Sequence, residues 1–222
     1  VRLRDRHDAG RQLAERLAHH KGEDLVVLGM ARGGVVVAYE VAVALDAPLD
    51  VMVVRKIGLP WQPELAIGAV APGITVLRED IINGVGLPRD VVERVALLEQ
   101  AALEEDLRRY RGDLPAERIE GRAAIVVDDG LATGASAVAA IQAVRAQKPR
   151  RVTLAEPICA IQAAQVLRHH ADEVVCVIES DELGSVGAWY DDFEQVEDEE
   201  VRRLLRLARE RAGTRPEAGR RT

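Results

Sequence analysis

The chain has 222 residues, 48% of them hydrophobic and 30% charged, which suits one α/β domain able to bury a substantial core. Its net charge of −7 argues against a generic nucleic-acid binder, because phosphate backbones reward clustered Lys and Arg. No run of about 18 apolar residues exists and the stretch Val1 to Arg16 is highly charged, so neither a membrane span nor a secretory signal is expected, and the compartment reads as cytoplasmic.

Arg4 to His20 places Leu13, Ala14 and Leu17 at helical spacing with charges on the other face, an amphipathic helix. Leu25 to Leu28 is a short apolar strand that opens into Gly29-Met30-Ala31-Arg32-Gly33-Gly34, and Val35 to Leu45 follows as an apolar helix. A guanidinium on so permissive a backbone suits a bidentate grip on a polyphosphate. Leu49 to Val54 is the next strand, ending in the adjacent cations Arg55 and Lys56. Cations at that end of a strand face the crevice where open α/β sheets bind ligands.

From Trp61 to Leu77 the pattern is a loop followed by a short hairpin, Ala66 to Val70 and Ile74 to Leu77. Trp61 suits either a stacked base or a hydrophobic plug, and Glu64 is placed to meet substrate without a defined role. Pro88 to Arg111 is the longest helical pattern, with Val91, Val95, Leu98 and Ala102 on one stripe. That stripe suits covering the sheet or, by slight preference, a dimer surface.

Ile125 to Ser136 organises the rest: I-V-V-D-D-G-L-A-T-G-A-S. Three β-branched residues make a strand buried on both faces, and Asp128 and Asp129 stand where it ends. Gly134 and Ala135 let backbone N–H groups approach a phosphate at the start of the next helix, with Thr133 and Ser136 adding hydroxyls. The carboxylates would repel a phosphate but accept hydrogen bonds from a pair of sugar hydroxyls. A phosphorylated sugar fits both halves. A Walker-type loop would need Gly-Lys-Ser/Thr, and no Lys stands here.

Ala137 to Gln147 is the capping helix, stopped by Lys148-Pro149. Val152 to Glu156 is a strand, Ile161 to His170 a helix and Val174 to Ile178 a strand, so the sheet is parallel with right-handed crossovers. Cys159 and Cys176 lie in apolar surroundings and read as buried free thiols rather than a disulfide. His19-His20 and His169-His170 close predicted helices, where capping is the expected role; no cluster has zinc-ligand spacing. Asp198 to Arg211 is a helix with acids first and arginines last, and Gly213 to Thr222 reads as a disordered tail.

The acidic pair, three spacers and Thr-Gly resemble the phosphoribosyl pyrophosphate signature of the type I phosphoribosyltransferases. The resemblance implies an α/β fold with a mostly parallel five-stranded sheet flanked by helices, plus a small hood. One domain would span 1–212: a core at about 24–180, a helical insertion at about 78–118, and a hood built from the N-terminal segment and 181–212. It further implies that Asp128 and Asp129 hold the ribose hydroxyls while Ala132, Thr133, Gly134, Ala135 and Ser136 wrap the 5′-phosphate. Ala31, Arg32 and Gly33 would bind pyrophosphate, with the Ala31–Arg32 peptide the cis candidate. Arg55-Lys56-Ile57-Gly58 resembles the Arg-Lys-x-Gly element of adenine phosphoribosyltransferases, with Lys56 the first and Arg55 the second pyrophosphate contact. Trp61 to Leu77 would be the mobile lid.

Ser185 to Asp192 resembles the Val-Gly-x-x-x-Asp hood segment of hypoxanthine-type enzymes, which puts Val186 and Trp189 along the acceptor and Asp191 near the metal. Trp189, Tyr190 and Phe193 suit the hood's own small core equally well. Gly184 replaces the stacking aromatic and Ala132 the carboxylate that manages the purine proton, which speaks against a 6-oxopurine acceptor. The implied reaction transfers the phosphoribosyl group to a nitrogenous acceptor, with Mg²⁺ bound mainly by the ligand and otherwise by Asp128, Asp129 and Asp191. A homodimer is expected. A non-catalytic nucleotide sensor and a phosphoribosyl phosphorylase or hydrolase are the alternatives.

Overall fold

The architecture is that of a computed structural model describing residues 2–213, apart from the Glu64 side chain. The expected tail beyond 213 and the expected Glu64 contact lie outside the described residues. In chain order the elements are α1 (Arg6–Arg16), β1 (Leu25–Met30), α2 (Gly33–Leu45), β2 (Leu49–Met52), β3 (Arg55–Leu59), β4 (Gln62–Ala71) and β5 (Ile74–Leu77). The chain continues through α3 (Glu79–Val85), α4 (Arg89–Arg111), β6 (Ala123–Val127), α5 (Ala135–Ala146), β7 (Arg151–Ala160), α6 (Ile161–Leu167), β8 (Glu173–Ser180) and α7 (Asp198–Gly213).

Five strands form a parallel sheet in the order β2-β1-β6-β7-β8, as expected. Every residue of β1 and β6 is buried, which is why both read as unbroken apolar runs rather than alternating ones. The α2 side chains Val35, Val37 and Val41 pack on one face of the sheet with Leu13 and Leu17 of the N-terminal segment, whereas Ala140, Ile141 and Val144 of α5 pack on the other. Because β1 and β6 are neighbours whose following helices leave to opposite faces, a crevice opens between their C-terminal ends.

The second sheet, β3-β4-β5, is antiparallel. The sequence pattern gives Arg55 to Leu59 no strand of its own and puts a loop from Trp61, where β4 in fact begins at Gln62. Residues Arg55 to Leu59 pair with β4, so the segment expected to form the lid belongs to a three-stranded unit. Helix α4 lies along it, but not on the expected stripe. Leu98 is 66% exposed, while Val92 and Leu103 are buried and Val91 and Val95 pack against the core. Packing against the lid sheet and α7 rotates the helix so that Leu97 and Leu98 face outward. Trp61 is 65% exposed at the β3–β4 turn, so it plugs nothing.

Two further expectations are corrected. Helix α7 is not part of the hood: Val201, Leu204, Leu205 and Ala208, at helical spacing, are buried in the core cluster beside α2. Burial of each large side chain there is worth about 1.5–3 kcal/mol. The hood is therefore Leu3, Leu183, Val186, Trp189, Tyr190 and Phe193, packed on Ala9 and Ile158. Cys159 and Cys176 are joined in a disulfide, not free. Their strands are neighbours in the sheet and bring the Cα atoms to 6.1 Å, a proximity that a sequence separation of 17 does not reveal.

Candidate active site

The loops after β1 and β6 meet in the crevice. A Cβ on Gly34 would lie 2.7 Å from the Asp128 Cα and 2.7 Å from the Val127 carbonyl oxygen, and one on Gly33 would collide with the Asp129 carboxylate. Glycine at both positions is what lets the Arg32 loop lie directly against the acid pair. The Ala31–Arg32 peptide is cis. Arg32 reaches outward to Asp198 of α7 at 3.4 Å.

Asp128 Oδ1 accepts the Asp129 backbone N–H at 2.9 Å, and burial, then the neighbouring Asp129 charge, push its carboxyl well above the usual range. Asp129 Oδ2 accepts from Arg6 Nε at 2.8 Å. The Arg6 guanidinium also stacks 3.8 Å above the Phe193 ring and donates to the Glu194 carbonyl at 2.7 Å. Tyr190 Oη donates to the Asp129 carbonyl at 2.6 Å. The hood is thus latched to the acid pair through both the side chain and the backbone of one residue.

Gly134 has φ +81°, a left-handed conformation that favours glycine, and it caps α5 with no side chain bonded to the first turn. The first N–H groups of α5 remain directed outward, the arrangement that receives an anion. A cavity of about 260 Å³ opens there, walled by Thr133, Gly134, Ala135 and Ser136 on one side and by Lys56 and Arg78 of the lid on the other. Ala132 does not line it. Arg55 points elsewhere: it is held by Glu99 and Asp106 of α4, each at 2.8 Å. Of the two adjacent cations, only Lys56 faces the phosphate loop.

The hood candidates divide similarly. Val186 packs over Gly130, where a Cβ would meet its methyl groups and those of Ile158. Trp189 spends its Nε1 proton on the Leu183 carbonyl at 2.9 Å and belongs to the hood core. Asp191 pairs with Arg2 at 3.2 Å on the surface and does not converge with Asp128 and Asp129. The expected three-carboxylate metal set is therefore not assembled, because the hood's backbone turns Asp191 toward the N-terminal segment.

Arg6, Arg78 and Glu156 are site residues that sequence reading missed. Arg6 stands 123 positions from its partner, and nothing local marks it. Glu156 did carry a signal, as the lone acid in a largely apolar strand. It follows Ala155, the register partner of Val127, and so flanks Asp128. It is 0% exposed, and neither carboxyl oxygen has a hydrogen-bond partner among the described residues. Burial first, then the charges of Asp128 and Asp129, raise its pKa well above the usual range.

A crevice at the sheet's switch point, with an acid pair beside an open helix N-terminus, has the acceptors and donors that a phosphorylated sugar requires in an α/β protein. The family model for the phosphoribosyl transferase domain matches residues 3–192, and the chain belongs to that family. It is 49% identical over 201 residues to the Mycobacterium tuberculosis protein named "Putative phosphoribosyl transferase Rv0571c", covering 89% of this chain. The same match extends to 45% of that protein, so the chain spans about half the length of the curated relatives it matches. The crystal structure of TT1426 from Thermus thermophilus aligns with a TM-score of 0.81 at 43% identity, covering 92% of this chain and 98% of that one. The fold is the type I phosphoribosyltransferase fold.

Proposed function

We propose that the chain is an enzyme that transfers the 5-phosphoribosyl group from phosphoribosyl pyrophosphate to a nitrogenous acceptor, releasing pyrophosphate. One observation carries the reading: the acid pair, the open start of α5 and the Arg32 loop converge at the ends of two adjacent strands. Asp128 and Asp129 take the ribose hydroxyls and lie beside the ring as positive charge develops on it. The Thr133–Ser136 turn takes the 5′-phosphate. Arg32 and its glycine neighbours take the leaving pyrophosphate, with Lys56 closing from the lid. Such preorganised contacts are commonly worth about 3 kcal/mol each in the barrier.

Arg6 holds Asp129 in the ligand-free chain, so ribose binding displaces this guanidinium or shares the carboxylate with it. The described residues fit Mg²⁺ carried in on the diphosphate, since the protein supplies hard oxygen donors but no convergent cage at this end of the sheet. Asp128 and Asp129 are the residues that would hold it, and the bound ion would neutralise charge on the departing group. The acceptor lies beside Val186, which itself packs on Gly130. No helix among the described residues is long and apolar enough to cross a membrane. We place the enzyme in the cytoplasm as a homodimer joined through the outward Leu97 and Leu98 of α4, which light scattering of wild type against Leu98→Lys tests.

The activity itself is tested by pyrophosphate release in Mg²⁺ across a panel of bases. Release with one class of base identifies the acceptor. Tight binding of phosphoribosyl pyrophosphate with no release on any base would make the chain a sensor. Phosphate-dependent cleavage of a nucleotide would make it a phosphorylase.

A further inference from the structure

At the far end of the sheet from the acid pair, where β7 and β8 begin, three side chains converge that the transferase reading does not use. His19 and His20 occupy the single turn Ala18–His20 after α1, their ring centroids 4.1 Å apart. Both turn Nε2 onto Glu173, the first residue of β8: His19 Nε2 lies 2.9 Å from Oε1 and His20 Nε2 2.8 Å from Oε2. The opposite ring nitrogens also face acceptors. His19 Nδ1 lies 3.1 Å from the Arg16 carbonyl oxygen, and His20 Nδ1 lies 3.1 Å from Glu23 Oε1. Arg151 Nη2, which carries two N–H groups, faces both His20 Nδ1 and Glu23 Oε1, the latter at 3.0 Å.

A neutral imidazole carries one N–H. The Arg16 carbonyl can only accept, so it takes the His19 proton at Nδ1 and leaves a bare lone pair at Nε2. That lone pair points at a carboxylate oxygen, which also only accepts. The buried His20 presents Nε2 to Glu173 in the same way when its proton sits on Nδ1 toward Glu23; when Arg151 donates to Nδ1, the proton sits on Nε2 instead. Opposed lone pairs at hydrogen-bond distance repel, so a positive species belongs between His19 Nε2 and Glu173, with His20 Nε2 beside it. A second proton on each ring would serve, and so would one cation. The surroundings match a cation site: each ring is oriented through its other nitrogen by a carbonyl or carboxylate, and Thr153 Oγ1 donates to Glu173 Oε2 at 3.1 Å.

We infer that His19, His20 and Glu173, whose ligand atoms lie within 4.8 Å of one another, bind a first-row transition cation, with Zn²⁺ the fitting species. Two imidazole nitrogens and a carboxylate are ordinary zinc donors, and they are too soft a set for Mg²⁺. The half-exposed side of His19 leaves the remaining position to water. The bound ion fastens the segment after α1 to the edge strand of the sheet, remote from the acid pair.

The test is calorimetric titration of the metal-stripped chain with ZnCl₂, paralleled by visible absorption of the Co²⁺ form. One saturable equivalent is expected, undisturbed by excess MgCl₂. Affinity should fall at least about tenfold in His19→Ala and in Glu173→Gln, and stay unchanged in His169→Ala. Zn²⁺ should raise the melting temperature of wild type and leave that of His19→Ala unmoved. His19 is half exposed, so its variant remains decisive if Glu173→Gln does not fold. No saturable uptake, or uptake that survives His19→Ala, overturns the site and leaves a protonated histidine clamp.

Discussion

Carboxylates are buried in two places on the main sheet, and the fold treats them in opposite ways. Near the start of β2, Asp50 accepts two bonds from Arg111 at 3.1 Å and one each from the Val51 and Glu117 backbone N–H groups at 2.8 Å. Its acceptor capacity is filled. At the interior strands β6 and β7, Asp128 accepts a single backbone N–H and Glu156 accepts nothing among the described residues. A buried carboxylate with a full set of donors ties the chain together. Carboxyls left short of donors, close enough to raise one another's pKa, mark a place kept for a ligand.

The contrast breaks most sharply at Asp50. Asp50→Ala strands the largely buried Arg111 guanidinium and should cost about 3–5 kcal/mol of unfolding free energy, read from urea denaturation. Pyrophosphate release per folded molecule should not change. Asp129→Asn should do the reverse, lowering kcat/KM by about 100-fold, or about 3 kcal/mol, while circular dichroism shows the fold retained. Wild-type affinity for phosphoribosyl pyrophosphate in Mg²⁺ would remove the ribose role from the acid pair. Gly134→Ala forces a side chain into φ +81° with Leu167 Cδ1 only 3.2 Å from the new Cβ, at a cost of about 1–2 kcal/mol. Its reading is weaker 5′-phosphate affinity measured with ribose 5-phosphate. Unchanged affinity would mean that the turn does not hold the anion.

The same division explains what the sequence disclosed. The parallel core and the acid-pair loop were legible because their signals are local: apolar runs, adjacent acids and Thr-Gly within one twelve-residue stretch. The lid strand Arg55 to Leu59 was not, since cations and glycine hide its pairing with β4. The resemblance assigns helix α7 to the hood, and only the three-dimensional path of the chain sets its apolar stripe against α2. The disulfide and the Arg6–Asp129 pair failed for one reason, that contacts across strands or between termini leave no periodicity. Asp191 failed through resemblance: the motif matched, but the hood turned the side chain toward Arg2.

Glu156 gives the smallest effect and the one whose sign is least expected. Burial, then the Asp128 and Asp129 charges, raise its folded pKa far above that of the unfolded chain. Below the ordinary carboxylate range both states hold the proton, and the residue's contribution is fully present. As pH rises past that range the unfolded chain releases its proton while the folded one keeps it, so stability declines until the folded pKa is passed. Glutamine cannot ionise and fills nearly the same volume. Glu156→Gln should therefore match wild type below the ordinary carboxylate range and become the more stable of the two as pH rises past it. Asp128, raised for the same first reason, leaves a residual slope in both proteins. Parallel stability curves across that window would mean that Glu156 meets a donor at the bottom of the crevice, and the contrast with Asp50 would then rest on Asp128 alone.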